Sequence, residues 1–546
     1  MRQRIVRHVG IATDDEEEAQ LRAFAEITIV KEEQSRSENA SLFSAAVIAQ
    51  GVTKKPRVQR ENKDNIENNE TPDPLQLNLG NLVEEGRRIQ GIGDIFGSLY
   101  DELGMNTIVR GAAAPVLKST VLARLTEPTS KRKTQTILRE DFGDDISLDR
   151  IYRMMDALYE RRENAEKLVR LRTFELFGNK VDVCFFDVTT LYFESTTEDS
   201  LRGFGYSKDQ KFHQVQVVLA LLTTAEGLPV GYKLFPGSTA EISTLVSCVE
   251  NWKQDGTIGQ VTVVADRGMM SENNLVALEK AGFRYIVGSS LKKLTQPLQT
   301  QVLASCHYAL APLNEDETVW IKTLPMGNGR RLIATFNPKR ARKDASDRKR
   351  LIESLEKRIG AAAKAPLKRL VSNRGYIKYT KVEGQAHASI DTEKLESDAK
   401  WDGMYGVLTN VDELSALEIL ARYRQLWTVE EAFRISKHDL KMRPIFHWKM
   451  ERIEAHIAIC FIAYALLRHV QCRLRRAGIR HSVDVIRSEL ARVEFNILRD
   501  TKTGRRYRIP SNFSDNARRI YATFGHRRAH RPALICEGSS LSMPQM

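Results

Sequence analysis

Three carboxylates stand out by where the sequence puts them. Asp187 ends the run Val181-Asp-Val-Cys-Phe-Phe-Asp187, and Asp266 ends the run VTVVAD. Both runs are short and mostly apolar on both faces, the pattern of a central buried strand. Strand exits of open sheets commonly carry ligand chemistry, and an ionised acid among apolar neighbours is costly unless something compensates it. Two such carboxylates brought together repel each other unless they hold a proton or a cation, and hard oxygen ligands select Mg²⁺ or Mn²⁺. On position alone, the capping of two unrelated turns suits these aspartates equally well.

The third acid, Glu430, lies in ARYRQLWTVEEAFRISKHDL. Tyr423, Glu430 and Lys437 recur there at seven-residue intervals, within about 40° of one helical stripe. Leu426 and Phe433 share that face, so the stripe packs on a sheet while carrying Tyr, Glu and Lys. Glu431 points about 100° away and is the weaker candidate. An amphipathic core helix with a charge at each edge produces the same pattern, and a lysine near a helix C-terminus also complements the dipole.

Acids so far apart in sequence need a fold to bring them together. After Lys180 the pattern predicts strands at 181–187, 214–222 and 228–235, the last two joined by a hairpin turn at Glu226-Gly227. A helix over 241–252, a strand over 261–266, a helix capped by Ser271 and a strand through Tyr285 follow. Three strands, then helix, strand, helix, strand, describe a mixed sheet with helices against it. If its first and fourth strands lie side by side, Asp187 and Asp266 converge.

The remaining chain divides by composition. Residues 1–50 read as a small strand-and-helix piece, and 51–83 as a polar, Pro-broken linker. Residues 84–178 read as helical, with Gly104 as a stop, Pro115 opening a helix and Ser147 capping another. Their outer surface is dense in Arg and Lys, which suits a DNA-binding domain and equally a solvated face. Residues 179–291 form the first part of the core. Residues 292–403 read as an insertion with its own small sheet around a basic helix, 339–364. Residues 404–480 return to the core, with one long helix from Leu414 to about His438 and an apolar helix over 453–475. Residues 481–546 end in a basic tail that includes HRRAHRP.

Composition narrows the function classes. The 546 residues are 42% hydrophobic and 28% charged, which excludes a wholly disordered or fibrous chain. The net charge of +13 favours a polyanionic partner. Six cysteines without a C-x-x-C pair argue against a disulfide framework or zinc ribbon and suit a reducing compartment. The longest apolar run, around Ile457 to Leu467, is too short to cross a bilayer, so the expectation is a cytoplasmic protein with no membrane partner. None of the eleven histidines sits in an H-E-x-x-H, H-hydrophobic-H or H-x-x-R arrangement, which removes zinc-protease, HUH-nuclease and tyrosine-recombinase readings. His456, in EAHIAICF, reads as a satisfied core histidine.

The stretches FFDVTTLYFES, LPVGYKLFPG with Glu241 after it, VVADRGMMSENNLVALEKAGFRYIVG and YRQLWTVEEAFRISK resemble the DDE transposases of bacterial insertion sequences. The branch resembled is the one whose Glu helix carries a Tyr-Arg-Glu-Lys signature. The resemblance spans residues 180–290 and 400–470. It implies an α/β fold: a ribonuclease-H-like mixed sheet with flanking helices, interrupted by a mainly β insertion and preceded by an N-terminal helical domain. It implies Asp187, Asp266 and Glu430 as catalytic residues and metal ligands, holding two Mg²⁺ (or Mn²⁺) ions for in-line displacement at a phosphodiester. Tyr423 and Lys437 match the signature as DNA contacts. Leu426 occupies its Arg position, leaving Arg422, Arg424 or Arg434 to replace that phosphate contact. Arg267, beside Asp266, is a further candidate for DNA, or for a surface ion pair. The implied partner is double-stranded DNA, both element ends and target, with at least a homodimer in the complex. A DNA-binding relative that does not cut is the competing class; the presence of all three carboxylates argues against it.

Overall fold

The computed structural model describes residues 77–535, apart from 179–180, 206–212, 241–242, 246, 249–260, 270, 315–316, 362–377, 384–386 and 529. The piece expected over 1–50, nearly all of the 51–83 linker, most of the 241–252 helix and the end of the basic tail lie outside the described residues.

The first strand, β1 (Leu82–Ile89), corrects the sequence reading at two points. It begins inside the expected linker and continues where a helix was predicted. It is held from far along the chain, by antiparallel pairing with residues 494–500, a partner that no local pattern reveals. Helices follow at Ala113–Thr126, Lys131–Ile137, Leu148–Tyr159 and Arg162–Leu176. Gly104 takes the left-handed conformation after Leu103, at φ 72°, and the Ser147 side chain accepts from the Arg150 amide at 3.3 Å. Ile151, Met154, Met155 and Leu158 form the buried stripe of the third helix.

The central sheet starts as a meander. β2 (Val183–Tyr192), β3 (Gln216–Thr224) and β4 (Pro229–Pro236) pair antiparallel, with Gly227 at φ 77° in the turn between the last two. β5 (Thr262–Ala265) then lies parallel to β2, and β6 (Arg284–Ser289) parallel to β5. The helix Glu272–Lys280 that links β5 to β6 is capped by Ser271. The order β4-β3-β2-β5-β6, with a parallel centre beside a meander, is a ribonuclease-H-like mixed sheet with flanking helices.

The insertion does not carry its own main sheet, contrary to the sequence reading. β7 (Ala309–Asn314), β8 (Glu317–Gly327) and β9 (Arg330–Phe336) extend the central sheet to nine strands. Among the described residues, β10 (Thr380–Glu383) and β11 (His387–Ile390) form a separate hairpin. The junction is β12 (Met404–Thr409), antiparallel to β6 on one side and β9 on the other. A free edge on β6 would expose unpaired amides and carbonyls; β12 covers it and passes the ladder on to β9. The basic helix forms as expected, over Pro338–Ala361.

The expected long helix is also divided. It runs Ala416–Arg424, breaks at Gln425 and Leu426, resumes at Trp427–Arg434 and ends in one wide turn, Ile435–Asp439. Ser415 and Glu418 close a reciprocal cap at its start. The next helix, Met450–Arg476, is long and apolar enough to cross a membrane, but its apolar side chains are buried in the protein. It packs against the helices Ala113–Thr126, Leu148–Tyr159 and Arg162–Leu176. Its side chains and theirs belong to one core, so the helical segment has no separate core of its own. The C-terminal region completes a small sheet with β1, through β13 (Glu494–Asp500), β14 (Arg506–Pro510) and β15 (Ala533–Ile535).

Candidate active site

Side chains alternate between the two faces of a strand, and the two buried cores separate those faces. On β2, Phe186 belongs to one core and Phe185 and Leu191 to the other; on β5, Val263 and Ala265 face the first and Val264 the second. Asp187 and Asp266 continue this alternation onto the face of Phe185 and Val264. Val429, Ala432 and Phe433 of the Glu430 helix belong to that same core. The helix Trp427–Arg434 crosses β2 and β3, and Ala416–Arg424 crosses β5, β6 and β7. All three acids therefore serve one face of the sheet.

The two aspartates are also level. The parallel ladder ends with Phe186 opposite Ala265, so each aspartate is the next residue along the chain. Asp266 follows the end of β5 as expected, but antiparallel pairing with β3 carries β2 on to Tyr192, which puts Asp187 in mid-strand opposite Leu221 rather than at a strand exit. Adjacent strands lie about 4.8 Å apart. Asp187 is half-buried, and its Oδ1 accepts from the Val188 amide at 2.7 Å. Asp266 is exposed and opens, with Glu430, onto a cleft of about 470 Å³. Among the described residues, no three His, Cys, Asp or Glu side chains stand close enough to form a metal-binding group. The expected three-ligand cage is thus not closed. Glu430 rests on the exposed side of its helix.

The two adjacent glutamates of the helix have different surroundings. Glu431 turns away from the cleft to pair with Arg468 of the long apolar helix at 3.1 Å. Arg468 is buried and also donates to the carbonyls of Glu226 and Gly227 and to the Gln471 side chain. A Cβ on Gly227 would fall 1.9 Å from its Nη2, so this turn needs glycine for space as well as for φ. Glu431 is thereby committed to holding the helix, and Glu430 is the one left at the cleft.

Tyr423 takes a place the sequence did not foresee. Its hydroxyl donates to Asp266 Oδ1 at 3.4 Å, and its ring meets Tyr405 of β12 at 5.5 Å between centroids. Burial pushes the Tyr423 hydroxyl well above its ordinary value, with Tyr405 and Asp266 adding to the push. Burial likewise pushes Tyr405 up to about 12. Both stay protonated, so Tyr423 remains a donor to Asp266. Gly288 makes room for this contact, because a Cβ there would lie 2.5 Å from the Tyr423 oxygen.

The insertion supplies the far wall of the cleft. Glu317 and Asn337 line it, as does Arg340, whose guanidinium lies 5.3 Å from the centre of the Tyr405 ring. Sequence reading named Arg340 only as part of a basic stretch; Tyr405, Glu317 and Asn337 carried no local signal at all. Arg424 also lines the cleft and pairs with Glu317. Arg267 is exposed on the turn after Asp266, and exposed Arg434 stands 3.7 Å from Glu431. Lys437 is half-buried in the wide turn that ends the Glu430 helix and does not line the cleft.

Comparison with known proteins adds the following. A family model described as Transposase DDE domain matches residues 179–466. A search of curated proteins finds no match. Among solved structures, the chain is similar to a piggyBac transposase synaptic complex with hairpin DNA, at 10% identity and a TM-score of 0.37, over 73% of this chain and 76% of that one. It is also similar to the Mos1 mariner paired-end complex with Mn, at 11% identity and a TM-score of 0.14, over 29% of this chain and 54% of that one. A second Mos1 paired-end complex, with the left transposon end, gives 11% identity and a TM-score of 0.15, over 37% and 60%.

Proposed function

The chain belongs to the family of the transposase DDE domain, and from that premise we propose that it is the transposase of a bacterial insertion sequence. It cuts the ends of its element and joins them to target DNA, using Asp187, Asp266 and Glu430. One observation carries the assignment. Asp187, midway along β2, and Asp266, just past the end of β5, stand level on adjacent parallel strands, on the sheet face crossed by the helix that brings Glu430 to the cleft of Asp266.

The donor set fits a hard divalent cation, because all three side chains offer carboxylate oxygen. Held there, Mg²⁺ or Mn²⁺ supplies Lewis-acid stabilisation of a phosphodiester and a more acidic water. The chain's own groups do the positioning. Tyr423 holds Asp266 by its hydroxyl, leaving the second carboxylate oxygen available. Arg424 and Arg340 put positive charge along the cleft. The Arg424–Glu317 pair is part-exposed and weak in water, so a phosphate can replace Glu317 as its partner. Trp427 is 56% exposed at the cleft and presents an aromatic face to an unstacked base. Because an element has two ends, a pair of chains acts in the DNA complex.

Strand cleavage of duplex DNA carrying the element's terminal inverted repeats, with Mg²⁺ present, is the test. Nicking that is lost in Asp187→Asn, Asp266→Asn and Glu430→Gln while DNA binding persists is the expected result. Unchanged nicking in any of the three removes that residue from the site, and binding without nicking in the unaltered chain leaves a DNA-binding relative.

A further inference from the structure

A second cleft, of about 440 Å³, lies where the helical segment meets the chain that follows the Glu430 helix. Its lining is basic: Arg124, Lys131, Arg132, Lys441, Arg443 and two histidines, 447 and 456, with no carboxylate among its residues. Arg124, Lys131 and His456 are only 4%, 3% and 5% exposed. Buried cations are ordinarily paired with acids, and these are packed against one another instead.

The hydrogen bonds leave donors over. His456 Nε2 stands 3.2 Å from the Met442 carbonyl, which fixes that nitrogen as the donor and makes Nδ1 the acceptor. Lys131 Nζ lies 3.3 Å from Nδ1 and donates to it. Two further hydrogens on that ammonium have no other partner among the described residues. Arg124 has five N–H donors, yet its one bond among the described residues is a long one, 3.5 Å to the Leu440 carbonyl. Burial holds the Lys131 ammonium well below its ordinary range, and the Arg124 guanidinium lowers it further. Burial and the same two cations lower His456, and they bring His447 down to about 3. An anion in the cleft meets the donors that Arg124 and Lys131 leave over, and its charge favours the protonated form of Lys131.

The geometry points to a phosphate-binding pocket, distinct from the acid-lined cleft, in which Arg124 and Lys131 hold a phosphoryl anion and Arg132 and Lys441 guard its mouth. Its wall is tied to the strand of Asp187. Ile445 pairs with Phe193 just beyond β2, and its amide donates to the Tyr192 carbonyl at 3.3 Å. Phe193 lies about 20 Å along the strand from Asp187, a distance of about six steps on duplex DNA. Phe446, 58% exposed on the rim, offers an aromatic contact to a nucleotide chain. The phosphate chemistry holds for either source, a DNA strand or free phosphate; the DNA source rests on the transposase reading.

The test uses the full chain and two probes. In the first arm, melting temperature is measured in sodium phosphate against sodium chloride of equal ionic strength. The native chain gains from phosphate. Lys131→Met melts higher than native without phosphate, because a buried cation is gone, and loses the phosphate gain; Lys131→Arg keeps it. The exposed-residue variant Arg132→Gln folds normally and shows a reduced gain. Equal gains in the native chain, Lys131→Met and Arg132→Gln overturn the pocket. In the second arm, affinity for a short DNA duplex falls about tenfold in Lys131→Met if DNA is the source. A lost phosphate gain with unchanged DNA affinity assigns the pocket to free phosphate and rejects the DNA source. Neither arm requires cleavage, so failure of the nicking assay and failure of this pocket are separate results.

Discussion

Asp187, midway along β2, and Asp266, just past β5, stand at the same height, each one residue beyond the last pair of the β2–β5 ladder, Phe186 opposite Ala265. A divalent cation held by the pair binds the folded chain and not the unfolded one, so cation binding and stability are linked.

The first prediction follows directly. Mg²⁺ or Mn²⁺ raises the melting temperature of the native chain, by about 2.7 kcal/mol of stabilisation at a hundred times its Kd. In Asp187→Asn and Asp266→Asn the gain from metal is lost. Nicking falls at least about a hundredfold in both. Calorimetry with and without metal, beside the cleavage assay, checks each part.

Gly288 gives a more selective probe. Alanine there puts a methyl group 2.5 Å from the present position of the Tyr423 oxygen, and the ring must withdraw from Asp266. Gly288→Ala is expected to lower cleavage as far as Tyr423→Phe does, at a stability cost of about 1–3 kcal/mol. A Gly288→Ala chain that nicks normally while Tyr423→Phe does not would show that the hydroxyl works from another position.

Adjacent glutamates on one helix should behave oppositely. Arg468→Ala strips Glu431 of its buried partner and leaves the turn carbonyls of Glu226 and Gly227 unmet. The expected loss is about 3–5 kcal/mol, read from the denaturant midpoint. Glu430→Ala, on the exposed side, changes stability by no more than about 0.5 kcal/mol while removing nicking. Equal stability effects would contradict the division of roles between the two acids.

Acid should loosen the insertion before the core. Asp398 is 5% exposed and pairs with Lys292, Lys378 and the Tyr379 hydroxyl. Burial pushes its carboxyl up, but the bonds from Lys292, Lys378 and Tyr379 outweigh that and hold it well below the usual 3.8. A depressed carboxyl stabilises the fold above its unfolded pKa, and the contribution fades as pH falls through the folded one. Asp398→Asn therefore costs about 2 kcal/mol near pH 7, and the difference narrows below about pH 4. Melting curves of both proteins across that range check the sign.

Local patterns carried much of this architecture, and the places where they stopped have physical causes. Runs buried on both faces announced β2 and β5; Asp266 stands at a strand exit as expected, while β2 runs on past Asp187 to Tyr192 because its pairing with β3 continues that far. Seven-residue spacing put Tyr423, Glu430 and Lys437 on a common stripe. Tyr423, Leu426 and Glu430 of that stripe do line one cleft, but the helix gives way to a wide turn over Ile435–Asp439, and Lys437 lies there, outside the cleft. β1 was misread because its partner is β13, at the opposite end of the chain. The insertion's strands looked self-contained because nothing in their sequence names β12 as the neighbour that joins them to the core.

By itself, then, the amino-acid order determined which acids are available, which runs become strands, and that the surface is cationic, because these depend on side-chain chemistry and short-range periodicity. Tertiary structure alone decided that the two aspartates stand level, that Glu431 is consumed by Arg468, that Arg340 and Tyr405 wall the cleft, and that Arg124 and Lys131 share a pocket without an acid. Those are relations between residues separated by long stretches of chain, and they exist only once strands pair and helices pack.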